Sequence, residues 1–467
     1  MIPGEILSKI GRIVGRSHLI TEGEILADYG MDATRLSAMP DGVVFPRTAG
    51  EVSQILHLAT RHRFPVVPRG AGTGMSGGAV PVNGGLVMDM TRFDRILSID
   101  EDNLVCKVEP GVVTARLQEA VEAVGLFYPP DPASLEVSTI GGNVAECAGG
   151  LRAVKYGVTR DYVLGLTIVL PTGKVLNTGV ETMKGVAGYD LTRLIVGSEG
   201  TLAVVTAVTL RLIPRPAAHR TMLSFFPDVS SAARTVSGII RNRITPTILE
   251  FMDRLCIDCV RDEMGLPIPF RAGAMLLIEV DGERAEVTEG ARRVRGICEK
   301  EGALEVEESM GAETSERLWE ARRNASPSLY RLRPHKISED VVVPRGKLPE
   351  LLSFLDETGR RHGLPIPAFG HAGDGNLHVN IMFDSEAEGE ADKARAIVRL
   401  LFEKVIRMGG TITGEHGIGI TKAPYLEMEI PRAGLELMTR IKAAFDPAGI
   451  LNPGKIFTER TGGHPEG

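Results

Sequence analysis

The sequence predicts an α+β protein with a glycine-looped first half and a second half of alternating strands and helices. Glycine clusters recur beside short β-like runs, at residues 70 to 78, at Gly141-Gly142 and in GSEGT. From about Thr221 the pattern changes to strand–helix alternation. The 467 residues, 43% hydrophobic and 24% charged, carry core enough for two or three domains.

The opening MIPGEILSKIGRIVGR places Ile6, Leu7, Ile10, Ile13 and Val14 at helical spacing among charges, so it reads as a first helix rather than a signal peptide. FPVVP then runs into PRGAGTGMSGG, which contains Gly72-x-Gly74-x-x-Gly77. A Rossmann fingerprint needs a helix leaving the glycines, with its N-terminus aimed at a pyrophosphate. Here Pro81 and Gly84-Gly85 stand where helical turns should be. The stretch reads as a loop between strands, either a nest of amides around an anion or a merely flexible turn. LVMDM, ILSID and LVCKVEP follow as short strands, then a helix from Val112 to Val124 ending near Gly125. YPPDPASLEVSTIGGNVAECAGG reads as a proline-rich turn and a second glycine cluster. KYGVTRDYVLGLTIVLPTGKVL reads as a strand, a Pro-Thr-Gly turn and a return strand. GYDLTRLIVGSEGTLAVVTAVTLRLIP ends in a long alternating strand. Such loops at strand ends could wrap one large phosphorylated cofactor.

TMLSFF, a helix over Ala232 to Arg241, PTILEFM, AMLLIEV and a charged helix from Arg284 to Lys300 suit a separate α+β domain. It contains PAFGHAGDGNLHVNIMF and, later, GGTITGEHGIGI. His371 and His378 lie seven residues apart, so they are not on adjacent helical turns. Gly370, Gly373 and Gly375 would permit a tight loop that turns both imidazoles inward. Glu415 and His416 sit in another glycine-flanked turn. Two histidines and one carboxylate with open positions form the pattern of a catalytic metal. The alternative is that each histidine simply hydrogen-bonds in its loop, and the pattern alone leaves both open.

A formal charge of −7 argues against nucleic acid as a partner. No apolar run approaches a membrane span. Cys256 and Cys259 form one CxxC with no second pair to complete a zinc site, so they read as ordinary helix cysteines. Five cysteines supply neither a disulfide framework nor an iron–sulfur ladder. A cytoplasmic protein is expected.

PRGAGT, PPDPAS, STIGGNVAE, KYG and GSEGT, in this order, resemble the flavin domain of the vanillyl-alcohol oxidase and p-cresol methylhydroxylase superfamily. The resemblance implies a two-subdomain FAD-binding domain, an α+β cap domain and a C-terminal segment that returns to the FAD domain. The expected division is 1–37 as an N-terminal helical segment, 38–217 for FAD, 218–420 as the cap carrying substrate and metal, and 421–467 as the return. By that likeness Pro68, Arg69, Gly70, Ala71, Gly72, Thr73, Gly74, Ser76, Gly77 and Gly78 line the pyrophosphate and ribose. Pro130, Asp131, Pro132, Ser138, Gly141, Gly142 and Asn143 run along the flavin. Glu199, Gly200 and Val205 face the adenosine side or nearby loops, and Asn452, in ILNPGK, belongs to the return segment. Some members attach FAD covalently through a histidine in the first loop; Thr73 stands there, so a non-covalent FAD is expected.

GHAGDGNLH and GEHGIG, joined to this domain and followed by FDPAGILNPGK, resemble the glycolate oxidase large subunit, D-lactate dehydrogenase and D-2-hydroxyglutarate dehydrogenase group. The likeness implies that His371, His378 and Glu415 bind a divalent metal, Zn2+ or a similar ion, and that His416 is the base. Arg322, in LWEARR, and Lys336, in HKISEDVVVP, would hold the substrate carboxylate, and Asn380 would contact the substrate. Without it, Arg322 reads as a solvated helix charge. The implied reaction is oxidation of a 2-hydroxy acid, with D-lactate or glycolate favoured. A free hydroxyl near pKa ~16 lies about 9 units, or roughly 12 kcal/mol, above a histidine near ~6.5, and a metal can close most of that gap.

The alternative substrate, D-2-hydroxyglutarate, needs a further cation, for which Arg323, Arg331 and Arg333 are candidates beside a surface-charge reading. With no cluster cysteines and no NAD domain, the electrons are expected to pass to a partner. That partner would be an iron–sulfur subunit leading to quinone or an electron-transfer flavoprotein, and membrane association would arise only through it. Two other classes are a non-catalytic flavin relay subunit, against which the intact metal and base loops speak, and a metal hydrolase that holds no FAD.

Overall fold

The computed structural model describes residues 1–261, 268–308, 319, 322 and 324–457. It resolves into two compact units, one of Met1–Gly149, Val158–Arg215 and Glu415–Gly467, the other of Gly150–Gly157 and Pro216–Gly414. Both mix helices with sheets, so the α+β class holds.

In the first unit the apolar stripe of helix Gly4–Val14 buries Ile6, Ile10 and Val14 in one cluster with Val52, Ile55, Leu56 and Ala59 of helix Ala49–His62. Thr48 caps the second helix by accepting from the Glu51 amide, and the Glu51 carboxylate accepts from the Arg47 amide at 2.6 Å. The nearby sheet runs in the order Leu19–Ile20, Gly42–Val44, Leu86–Asp89, Val66–Arg69, its last three strands parallel. PRGAGTGMSGG leaves Val66–Arg69, and the chain returns in Leu86–Asp89 without a helix between them, as Pro81 and Gly84-Gly85 require. A second, antiparallel sheet has the order Ile96–Asp100, Val105–Val108, Val204–Arg211, Val163–Val169, Val175–Gly179. Its central strand alternates buried and half-buried residues, matching the alternation in the sequence. The helix expected over Val112 to Val124 spans Thr114–Glu122.

Two glycine-bearing stretches near each other in sequence depart from expectation: KYG, read as the start of a strand, closes the helix Ala153–Tyr156, and the second glycine cluster is helical. STIGGNVAE, read as a glycine cluster, contains the helix Ile140–Glu146. Two glycines cost such a helix about 1 kcal/mol each. The Thr139 cap and the burial of Ile140, Asn143 and Val144 override them. The C-terminal segment joins the parallel sheet: the Val66 amide donates to the Ile450 carbonyl, and the Asn452 amide to the Val66 carbonyl, both at 2.8 Å.

The second unit is built on an antiparallel sheet of seven strands in the order Glu305–Glu308, Ala218–Phe226, Ala274–Gly282, Ile248–Asp253, Ala368–His371, Asn376–Phe383, His335–Val342. Helices Arg284–Lys300, Val229–Arg241, Leu348–His362 and Glu390–Arg407 pack each against the next. Gly290 of the first meets Val280 on one sheet face. On the other face Leu223, Phe225, Met252, Met275 and Leu277 form an apolar cluster with Cys256, Ile257, Cys259 and Val260 of helix Arg254–Val260. Cys256 and Cys259 are therefore core residues, and burial raises the Cys256 thiol well above its ordinary value.

Candidate active site

The first unit holds a cavity walled largely by small residues, many of them glycine. Pro68, Arg69, Gly70, Ala71, Gly72, Thr73, Gly74 and Gly78 line one side, and Pro132, Ser138, Gly141, Gly142 and Asn143 another. Glu199, Gly200, Val205, Glu415 and His416 complete the set of expected residues in its wall. The close approach of the two loops demands glycine: a Cβ at Gly70 would stand 2.3 Å from Thr139 Oγ1. The Arg69 guanidinium is turned to the Met31 carbonyl, at 2.6 Å, and lies over the Tyr29 ring.

Five expected residues lie outside the wall and brace it. Ser76 and Gly77 pack on the segment that follows His416, where the Ile420 amide donates to the Ser76 carbonyl at 2.7 Å. Gly419 is required there, since with φ +48° its Cβ would meet that carbonyl oxygen at 2.1 Å. The Pro130 carbonyl accepts from Gln118 Nε2 at 2.9 Å, and the neighbouring Asp131 is buried. Asn452, also buried, donates from Nδ2 to the carbonyls of Gly78 and Glu199 at 2.9 and 2.8 Å. The Glu199 carboxylate accepts from the Ile418 and Gly419 amides at 2.8 and 2.6 Å, so it anchors the His416 segment as well as lining the cavity.

The sequence reading missed Thr139 and Glu146, both in the wall. Burial first, then the neighbouring Glu199 and Asp32, pushes the Glu146 carboxyl well above its ordinary range. Its Oε2 is buried and has no hydrogen-bond partner among the described residues. A wall of small residues with such a polar atom inside fits a large phosphorylated cofactor of the flavin dinucleotide kind.

In the second unit the histidines lie not in a loop but on strands. His371 ends Ala368–His371, and His378 lies in Asn376–Phe383. The glycines make the hairpin between them; strand alternation and pairing put both rings on one face, 5.2 Å apart between centroids and nearly perpendicular. The same register opposes Asp340 to His378, Ser338 to Asn380 and Lys336 to Met382, which gathers Lys336 and Asn380 on that face. Lys336 Nζ donates to Ser326 Oγ at 2.7 Å and lies over the Tyr330 ring. Asn380 donates from Nδ2 to the His378 carbonyl at 3.1 Å, while its buried Oδ1 has no partner among the described residues.

Arg322 is largely buried, not a solvated helix charge. Its Nε donates to Glu250 Oε2 at 2.5 Å, and its guanidinium lies 4.6 Å from the centroid of Phe369. Glu250 Oε1 is also 2.5 Å from His371 Nδ1. Burial would raise the Glu250 carboxyl, but Arg322 and His371 outweigh it and hold it at about 2. Asp340 accepts from Thr413 Oγ1 at 3.1 Å and from the Gly414 amide at 2.7 Å, which fixes the chain immediately before Glu415. Glu250 was legible only as an acidic residue inside the apolar strand ILEFM, and Asp340 only as one of two acids in SEDVVV. Arg331 donates to the Cys259 carbonyl at 2.8 Å and Arg333 faces Glu390; Arg323 lies outside the described residues.

Residues 215–456 match the family described as FAD linked oxidases, C-terminal domain, and residues 40–179 match the FAD binding domain. The chain is 46% identical over 432 residues to the glycolate oxidase subunit GlcD of Bacillus subtilis (strain 168), covering 92% of each protein. It is 35% identical over 463 residues to the D-lactate dehydrogenase of Anaerostipes hadrus, covering 97% of each. Among solved structures, p-cresol methylhydroxylase with substrate bound superposes with a TM-score of 0.81 at 18% identity, over 97% of this chain and 96% of that one, a likeness of fold alone. Two family matches that together span most of the chain, and relatives alike over nearly their full lengths, lead to one conclusion: the protein belongs to the FAD-linked oxidases, with the fold of the vanillyl-alcohol oxidase and p-cresol methylhydroxylase superfamily.

Proposed function

We propose that the protein oxidises a D-2-hydroxy acid, D-lactate or glycolate being favoured, to the 2-oxo acid and passes the electrons to a partner protein. The observation that carries this reading is the single sheet face on which His371, His378, Asn380 and Lys336 converge, with Arg322 held beside them by Glu250. Arg322 and Lys336 are the cations that bind and orient the substrate carboxylate. Asn380 offers a buried amide oxygen to a substrate hydrogen-bond donor. His416 takes the hydroxyl proton. FAD, bound without a covalent link since Thr73 stands where a tethering histidine would fall, supplies the two-electron acceptor.

His371, His378 and Glu415 are the proposed ligands of a divalent metal, Zn2+ or a similar ion. Two imidazoles and a carboxylate are a donor set that suits such an ion, which supplies Lewis acidity toward the substrate hydroxyl. The two histidines owe their part in it to adjacent positions on one sheet face. An iron–sulfur subunit or an electron-transfer flavoprotein is the proposed electron acceptor. A relative that bears the name of a subunit supports the need for a partner.

The test is anaerobic mixing of the FAD- and metal-loaded protein with D-lactate, L-lactate, glycolate and D-2-hydroxyglutarate, following the yellow flavin absorbance. Bleaching by one D-acid or by glycolate, lost on chelation and restored by Zn2+, is the expected result. A protein that holds FAD and is bleached by none of the four overturns the substrate reading.

A further inference from the structure

Glu250 lies outside every motif that carries the family likeness, yet it joins two parts of the proposed site. We propose that Glu250 is a positioning residue that fixes the tautomer of His371 and the orientation of Arg322 at the same time. The inference rests on the reading of these two residues given above, as metal ligand and carboxylate binder.

Three observations carry it. Strand register places Glu250 directly opposite His371, so the contact is built into the sheet and does not depend on a mobile loop. The carboxylate is 1% exposed, and its two oxygens are divided: Oε1 lies 2.5 Å from His371 Nδ1, and Oε2 accepts from Arg322 Nε at 2.5 Å. An ionised carboxylate can only accept, so the proton at this contact belongs to Nδ1, and the lone pair of a neutral His371 falls on Nε2. That is the tautomer a metal requires, and a carboxylate behind a ligating histidine raises the basicity of its other nitrogen. On the second oxygen, the contact through Nε sets the plane of the guanidinium, whose terminal nitrogens form the fork that suits a carboxylate.

Phe369 completes the arrangement. The guanidinium lies 4.6 Å from its centroid, and the same ring lies 5.3 Å from that of His378. Phe369 and His371 are alternate residues of one strand and share its face. A buried carboxylate is costly unless its charge is matched and its oxygens are hydrogen-bonded; here Arg322 matches the charge and the Nδ1–H of His371 satisfies the other oxygen, one group from each half of the proposed site. An ion pair that served stability alone would need Arg322 but not His371.

The experiment compares the full-length, FAD-loaded wild type with Glu250→Gln and Glu250→Asp. Selective 15N labelling of histidine in metal-free protein reads the His371 tautomer, with His371→Gln used to assign the signal. Zn2+ titration then reads metal affinity, and steady-state kinetics read KM for whichever acid bleaches the wild type. The wild type is expected to hold His371 as the Nδ1–H form. In E250Q that preference weakens, Zn2+ affinity falls about 10- to 100-fold, and KM rises about tenfold. E250D, which keeps the charge, recovers part of all three. A folded, FAD-loaded E250Q with wild-type tautomer, Zn2+ affinity and KM overturns the proposal. A wild type that shows the Nδ1–H form and loses it in E250Q, but binds no Zn2+, upholds the hold of Glu250 on His371 and overturns the metal reading instead.

Discussion

Asp253 shows how much one side chain can carry in this fold. Its Oδ1 accepts from the Cys256 amide at 2.8 Å and caps helix Arg254–Val260, while Oδ2 accepts from the Ala368 amide at 2.7 Å. It thereby ties that helix to the strand carrying His371. Burial raises its carboxyl from an ordinary 3.8 to about 6, against the pull of the amides. The folded state therefore holds the proton more tightly than the unfolded chain. The resulting stability is complete below about pH 4 and is lost as the pH rises through 6, at ~1.4 kcal/mol per unit and ~3 kcal/mol in all. Denaturation of wild type and Asp253→Asn between pH 4 and 7 should show wild type losing this stability relative to the variant, and a constant difference would refute it. His416 lines the cavity of the first unit. His416→Ala, with FAD loaded, should lower the rate of FAD reduction by about 10²- to 10⁴-fold, read by stopped-flow absorbance. A wild-type rate would remove His416 from the role of base.

At the scale of elements, local signals and long-range pairing divide the work. Helix Ala49–His62 was not among the elements picked out in the sequence, although its Thr48-x-x-Glu51 start is a local signal. Thr48→Ala should destabilise the protein by about 1 kcal/mol in urea unfolding and leave FAD reduction unchanged. Helices Gly4–Val14 and Arg284–Lys300 were legible because their own spacing specifies them. Ile140–Glu146 was not, because its glycine pair speaks against a helix locally and packing decides in favour. The histidine hairpin shows the same limit. Gly370, Gly373 and Gly375 announce a turn, but whether His371 and His378 belong to the turn or to its strands depends on what pairs beside them.

For the whole molecule, cofactor binding and stability are linked. A group bound only by the folded state stabilises it by ~2.7 kcal/mol at one hundred times its Kd. Thermal melting of FAD-stripped protein should therefore move upward as FAD is added, in proportion to the logarithm of its concentration; a melting curve indifferent to FAD would count against the cavity of the first unit as its site. The sequence by itself determined the α+β class and the refusal of a Rossmann turn at PRGAGTGMSGG, since Pro81 and Gly84-Gly85 forbid the helix whatever surrounds them. It also determined that the lone CxxC lies on a helix, and which residue types are present for flavin binding and for the proposed metal and carboxylate chemistry. Only the tertiary structure decided that Glu250 stands opposite His371, 121 residues further along the chain, that Asp340 stands opposite His378, and that Arg322 is buried against both Glu250 and Phe369. Propensity and periodicity act over a few residues and fix helices, turns and strand faces. Partners a hundred residues apart are chosen by register within the sheet, where a slip of one residue would send each of these side chains to the opposite face.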